Sequence, residues 1–129
     1  SLREEMEFAS AYIFLLKMRF ENNLQFDIQI AKSFEDYRLP PMAVQVLIEN
    51  AVKHNEISDR KPLTIHIVTN NEGYLSVSND IQPKRTAASG TGIGLVNLAK
   101  RYRLLFKQDI QITEDKEFTV CIPLIDEVQ

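Results

Sequence analysis

Four side chains within one short stretch could together handle a metal–phosphate group: Glu49, Asn50, Lys53 and His54. Their spacings of one, three or four positions cluster them on one side of a helix that turns about 100° per residue. An Asn amide offers a neutral oxygen to a hard cation, and a Glu carboxylate ligates it or orients water. Lys and His can meet phosphate oxygens. Mg²⁺ keeps several waters and takes only one or two protein ligands, so Asn50 and Glu49 suffice. Val44, Leu47, Ile48, Ala51 and Val52 fall on the opposite side and are expected to pack on a sheet. Taken alone, the pattern also describes an ordinary helix with one solvated face. Zinc fits poorly, since His54 and His66 are the only histidines and no cysteine or carboxylate stands at motif spacing. His66 alternates within a strand-like run and reads as structural.

A second constellation lies downstream. Three of the four glycines fall within Ser89-Gly90-Thr91-Gly92-Ile93-Gly94-Leu95, ahead of a segment to Phe106 that reads as a helix. Glycine lets the backbone turn sharply and bring its amides close to phosphate oxygens. The unpaired amides and the dipole at a helix N-terminus then favour an anion, so the segment points to phosphate binding. The dinucleotide fingerprint fails here, since it needs a third glycine where Leu95 or Asn97 stands. A P-loop fails too, since Gly94 is followed by Leu95-Val96 rather than Lys-Ser/Thr. Both motifs also want a buried strand just before the turn, where this chain has the loop-like Gln82–Ser89 stretch.

The rest of the composition bounds the partners. At 129 residues the chain reads as one domain with room for a substantial core. Hydrophobic residues at 44% and charged ones at 26% are ordinary globular values. A net charge of −3 argues against a general nucleic-acid or anionic-membrane surface. The single cysteine, Cys121, cannot form an internal disulfide, and a reducing, cytoplasmic setting is expected. Cys121 lies in a strand-like run and reads as a buried structural thiol. No stretch has the length of a membrane span, and no signal peptide is evident.

The elements that must position these groups follow from periodicity. Leu2, Met6, Ala9, Ile13, Leu16 and Phe20 recur at spacings of three and four, predicting a helix over 2–22, with Phe8, Tyr12 and Leu15 widening its apolar stripe. That stripe reads as core rather than as the continuation of an upstream dimerisation helix. Residues 25–31 alternate as a strand. Pro40-Pro41 begins a second helix running to about His54. Strands are predicted over 63–69 and 74–78, joined by the turn Asn70-Asn71-Glu72-Gly73. A loop over 80–93, a third helix and two strands at about 108–113 and 117–124 complete the chain. Paired hairpins with separated helices predict a two-layer α/β sandwich, a mixed sheet of about five strands with three helices on one face.

With both constellations in hand, the chain resembles a known family. Leu47-Ile48-Glu49-Asn50-Ala51-Val52-Lys53-His54 resembles the N box of the GHKL ATPases, and Gly90-Thr91-Gly92-Ile93-Gly94-Leu95 the G box of sensor histidine kinases. The LytS-like branch is closer still. Its Tyr and Arg-Phe pattern appears as Tyr12 and Arg19-Phe20, and its Pro-Pro lead into the N box as Pro40-Pro41 and Gln45-Val46-Leu47. Its ending matches through Gly94, Leu95, Asn97 and Arg101.

The resemblance implies the Bergerat fold over 1–129, with ATP held between helices and a lid loop. It implies the catalytic domain of a two-component sensor histidine kinase, passing the ATP γ-phosphoryl to a histidine on an upstream helical segment. In that frame Asn50 binds Mg²⁺, Glu49 helps as base, through water or as a second metal ligand, and Lys53 and His54 face the phosphates. Gly90, Thr91, Gly92, Ile93, Gly94 and Leu95 shape the lid hinge and bring amides to the triphosphate, and Lys84 and Arg85 belong to the lid. The implied partners are the phosphoacceptor helix of a homodimeric, membrane-tethered kinase, with 1–22 following that helix, and a response regulator. Neither His54 nor His66 stands where the phosphoacceptor would, so this chain is not expected to autophosphorylate alone. One departure is notable: where the family places an Asp to accept from the adenine amino group, this chain has Asn79. The alternative, Asp80, requires a one-residue bulge. Asn79 also motivates a second reading, a degenerate module with little turnover that serves signal relay or dimer contacts.

Overall fold

A computed structural model describes residues 1–83 and 93–126. The expectations placed on Lys84, Arg85, Gly90, Thr91 and Gly92 lie outside the described residues. In chain order the elements are α1 (Leu2–Phe20), β1 (Leu24–Gln29), α2 (Ala43–His54), β2 (Leu63–Thr69), β3 (Tyr74–Asp80), α3 (Ile93–Phe106), β4 (Gln111–Glu114) and β5 (Glu117–Pro123). The five strands form one mixed sheet in the order β1-β2-β3-β5-β4. β1 and β2 are parallel, as a connection long enough to carry α2 allows. The remaining pairs are antiparallel.

The sheet has one buried and one open face, as the alternation of its strands requires. Leu63, Ile65 and Ile67 of β2, Leu75 and Val77 of β3, and Val120 and Ile122 of β5 are buried. They share a core with Leu2, Ala9 and Leu16 of α1, Val44, Leu47 and Ile48 of α2, and Leu98 and Tyr102 of α3. Each such Leu, Ile or Val contributes about 1.5–3 kcal/mol by leaving water. Tyr102 keeps its hydroxyl satisfied by donating to the Pro123 carbonyl at 2.9 Å, which ties α3 to the end of β5. The β2–β3 hairpin is held at Asn70, whose Oδ1 accepts from the backbone N–H groups of Glu72 (2.9 Å) and Tyr74 (3.0 Å). Gly73 supplies the positive φ of +86° that this turn needs.

Several boundaries differ from the sequence reading. α1 stops at Phe20 rather than 22, because Glu21 takes a φ of +53° and begins a short 3₁₀ turn over Glu21–Asn23. α2 starts at Ala43, not at the prolines. A residue before proline is held out of the helical region, so Pro40 cannot open a helix; a turn closes from the Ala43 N–H to the Pro40 carbonyl (3.2 Å), with Met42 at φ +69°. β1 covers 24–29, and β3 runs two residues further, to Asp80. β4 begins only at Gln111, because Lys107 at φ +56° ends α3 and the chain must then travel back to the sheet edge.

Two corrections bear on packing. Of the residues expected to widen the α1 stripe, Tyr12 is half-buried but Phe8 and Leu15 point into solvent, 54% and 62% exposed. They lie about 100° round the helix from Ala9 and Leu16 of the buried Leu2–Ala9–Leu16 seam, at 3.6 residues per turn. Cys121 is half-buried on the open face of the sheet rather than in the core, its register partner on β3 being Ser76.

Candidate functional site

α2 lies between α1 and α3, so its two flanks face different neighbours. On the α1 side, Glu5 accepts from the Met42 N–H at 3.1 Å, fixing the start of α2 against α1. On the α3 side, the Arg101 guanidinium donates to the Pro41 carbonyl at 2.6 Å. Gly94 sits so close to α2 that a Cβ there would stand 3.4 Å from Val46 Cγ1. Gly94, expected in the glycine turn that feeds the helix, forms with Ile93 the first turn of α3, and its bare backbone lets that turn meet α2.

The four polar side chains of α2 therefore divide. Asn50 and His54 follow Val46 at i+4 and i+8, the ridge next to Gly94. Both are half-buried. Glu49 and Lys53 are exposed and line a groove of about 630 Å³ between α1 and α2, together with Tyr12, Arg19, Asn55 and Glu56. Val52, expected on the sheet side, lines that groove as well. Burial, and then the nearby Glu49 charge, raises the Tyr12 hydroxyl pKa above its ordinary value, with Arg19 opposing. The Arg19 guanidinium rests over the Phe20 ring at 4.7 Å, a cation–π contact. The expected single cluster is thus a ridge with two sides, because the neighbours Glu49 and Asn50, like Lys53 and His54, diverge in direction by about 100°.

Asn79 is 1% exposed, on the helix-facing side of β3 after Leu75 and Val77. Its Nδ2 donates to the Asp80 carbonyl at 2.7 Å, leaving the amide oxygen as its acceptor. β3 and β5 pair residue for residue from Tyr74–Pro123 to Asp80–Glu117. No bulge intervenes, and Asp80 is exposed, so the one-residue shift needed to turn Asp80 inward is absent.

Sequence reasoning missed Asn55, which is 6% exposed. Its Nδ2 donates to the Ala51 carbonyl at 2.8 Å and its Oδ1 accepts from the Gln82 N–H at 2.7 Å. The Glu56 N–H donates to the Gln82 carbonyl at 2.6 Å, and the Gln82 side chain donates to the Glu56 carbonyl at 2.9 Å. The end of α2 is thereby clamped to the strand-exit segment after β3. A position one past the last helical residue, in a type that favours caps and turns, was the available signal. His66, as expected, is a strand residue away from the helices, its Nδ1 2.9 Å from Asp27 Oδ2 on the open face.

Among the described residues no group of three or more His, Cys, Asp or Glu could by itself hold a metal ion. The donor set instead suits a cation that arrives with its own anionic ligands, Asn50 and Glu49 offering oxygen and Lys53 and His54 nitrogen. No described helix is long and apolar enough to cross a membrane.

Comparison with known proteins bears on family and fold. The chain is 35% identical over 131 aligned positions to the sensor protein LytS of Streptococcus mutans, an alignment covering 89% of this chain and 22% of that protein. It is 28% identical to the sensor histidine kinase BtsS of Escherichia coli K12, covering 88% of this chain and 21% of the relative. The chain thus spans about a fifth of the length of these relatives. Among solved structures, the catalytic domain of histidine kinase ThkA superposes with a TM-score of 0.56 at 19% identity, covering 92% of each chain. The mycobacterial sensor histidine kinase MprB superposes with a TM-score of 0.54 at 12% identity, covering 93% of this chain and 94% of that one. No family model matches the chain.

Proposed function

The chain belongs to the LytS-like sensor histidine kinases and has the fold of their catalytic domain, and from that premise we propose that it binds ATP with Mg²⁺ and donates the γ-phosphoryl to a histidine on a separate helical segment. The observation that carries this reading is the α2 ridge, with Asn50 and His54 on the side of the α3 N-terminus and Glu49 and Lys53 on the other. Bound Mg²⁺ would neutralise triphosphate charge, and Asn50 would hold it, Glu49 lying on the groove side of the ridge. Lys53 and His54 would bind phosphate oxygens. The Asn79 amide oxygen would accept from the adenine amino group. Ile93, Gly94 and Leu95 would carry the triphosphate to the first turn of α3, whose unpaired amides suit an anion.

In such a transfer the bond from the γ-phosphorus to the bridging oxygen breaks and one to the acceptor imidazole nitrogen forms. The leaving charge stays on ADP and the imidazole proton must go to a base. Glu49, exposed beside an open groove, would take that proton from an incoming imidazole. Positioning and charge neutralisation supply most of the acceleration. The partners proposed are the phosphoacceptor helix of the longer homodimeric kinase and a response regulator.

Calorimetric titration of the chain with a non-hydrolysable ATP analogue, with and without Mg²⁺ and alongside GTP, tests the reading. Adenine-selective, Mg²⁺-dependent binding in the micromolar range is expected, and Asn50→Ala should abolish the Mg²⁺-dependent part. Absence of binding at millimolar nucleotide would overturn the proposal. Phosphotransfer to a supplied histidine segment that survives Asn50→Ala would remove the metal assignment.

A further inference from the structure

α3 is a basic helix in an acidic chain. Residues 93–108 hold Lys100, Arg101, Arg103 and Lys107 and no acid, although the chain as a whole carries −3. Arg101 turns toward α2, where it donates to the Pro41 carbonyl. The other three cations point away from the fold. Val96, Lys100, Arg103 and Leu104 fall in one arc of the helix about 100° wide, on the side opposite buried Leu98 and Tyr102. All four are exposed, Val96 at 50% and Leu104 at 82%, and exposed Lys107 follows just past the helix end. The helix dipole accounts for a cation in the last turn, such as Arg103. It accounts neither for Lys100 nor for so exposed a leucine. Beside the arc lies an open recess of about 580 Å³, with Ala99 and Ile110 as apolar lining and Lys100 and Arg103 as its cations. Its acid, Asp109, reaches Arg103 at 3.4 Å in an exposed pair, which is worth little in water and yields to a stronger anion. Lys100 and Lys107 have no ion pair among the described residues.

We propose that the outer face of α3 docks on the surface of an anionic phospholipid bilayer, Lys100, Arg103 and Lys107 meeting lipid phosphates while Leu104 and Val96 enter the boundary between headgroups and acyl chains. Charge selects an anionic surface, and the apolar tips select a lipid one. A nucleic-acid backbone would answer the cations and leave Leu104 and Val96 in water. A bilayer answers both, because long Lys and Arg stems lift their charged heads to the phosphates while shorter apolar side chains beside them reach deeper. The negative net charge of the chain excludes a generally basic surface, so attraction is confined to this face and orients the domain on the membrane. Each cation near an anionic surface is worth about fivefold in partitioning, so three give roughly a hundredfold. Without a lipid anchor the docking is reversible and falls as salt screens it. It does not depend on a nucleotide at the α2 ridge.

Co-sedimentation of the chain with vesicles of mixed phosphatidylserine and phosphatidylcholine, against vesicles of phosphatidylcholine alone, tests this. Binding to the anionic vesicles at millimolar lipid is expected, with release at high salt and far less binding to the neutral ones. Lys100→Gln with Arg103→Gln should weaken it about tenfold or more. Leu104→Ser, which leaves the charge unchanged, should weaken it several-fold. All three positions are exposed, so the circular dichroism should not change. No binding to anionic vesicles, equal binding to neutral ones, or binding that survives the double substitution would overturn the proposal. So would a Leu104→Ser chain that binds as well as the parent, which would give the face to polyanions at large, nucleic acids and acidic proteins among them. Nucleotide titration of the same variants reads the α2 ridge separately.

Discussion

At Asn79 a neutral amide stands, 1% exposed, on the helix-facing side of β3, and donates to the Asp80 carbonyl at 2.7 Å. Asn79→Asp would lose that donor, set a carboxylate against a carbonyl oxygen and bury a charge. It should lower stability by about 1–3 kcal/mol at neutral pH, read from urea unfolding. Asn79→Ala should weaken adenine nucleotide binding about tenfold, the worth of one hydrogen bond, and titration would show it. The open face offers a pH-dependent test. A hydrogen bond from His66, and then one from Gln29, hold the Asp27 carboxyl below its usual range. A carboxylate whose folded pKa is depressed stabilises the fold above its unfolded value of about 3.9, and the contribution fades as pH falls through the lower folded value. Asp27→Asn should therefore flatten this part of the acid limb of the melting temperature against pH and leave the neutral-to-alkaline side level. A carboxyl resonance of Asp27 that titrates at the ordinary value would contradict it.

Among the elements, the joint between α2 and the strand exit after β3 has Asn55 as its buried side chain. Asn55 satisfies the Ala51 carbonyl and the Gln82 N–H at once. Asn55→Ala leaves both buried groups short of a partner and should cost about 1–3 kcal/mol. Hydrogen exchange at the Gln82 amide should accelerate more than the global stability loss explains; equal acceleration throughout would mean the clamp is not local. α1 shows how an element can mislead. The three- and four-residue spacing located its core seam correctly, but the widening by Phe8 and Leu15 ran the wrong way round the helix. A hydrophobic pattern says which residues are apolar, not which of them the fold covers. In the same way, the prolines ahead of α2 marked an approaching helix but could not start it, since Pro41 holds its predecessor extended.

For the whole molecule, a nucleotide that binds the folded chain and not the unfolded one must raise its stability. At a free concentration one hundred times the dissociation constant the gain is about 2.7 kcal/mol. For a domain of this size that is a rise in melting temperature of roughly 6–15 °C. Differential scanning with an ATP analogue should show it with Mg²⁺, and GTP should give far less. An equal rise with GTP would remove adenine recognition from Asn79. The two-layer architecture, the hairpin at Asn70–Gly73 and the types of all eight main elements were legible in the sequence, because periodicity and turn chemistry are local properties. So was the α2 set as a list: Glu49, Asn50, Lys53 and His54 are chemically suited to a metal–phosphate group wherever they point. Only the tertiary structure decided how they divide, since that depends on which helix flanks each side of α2: Glu49 and Lys53 line the groove beside α1, while Asn50 and His54 continue the ridge of Val46, which meets Gly94. It likewise decided that Asn79 rather than Asp80 faces inward, which rests on the unbroken register of β3 against β5. The clamp made by Asn55 became visible only there, because its partner Gln82 is distant in sequence and near only once the sheet has formed.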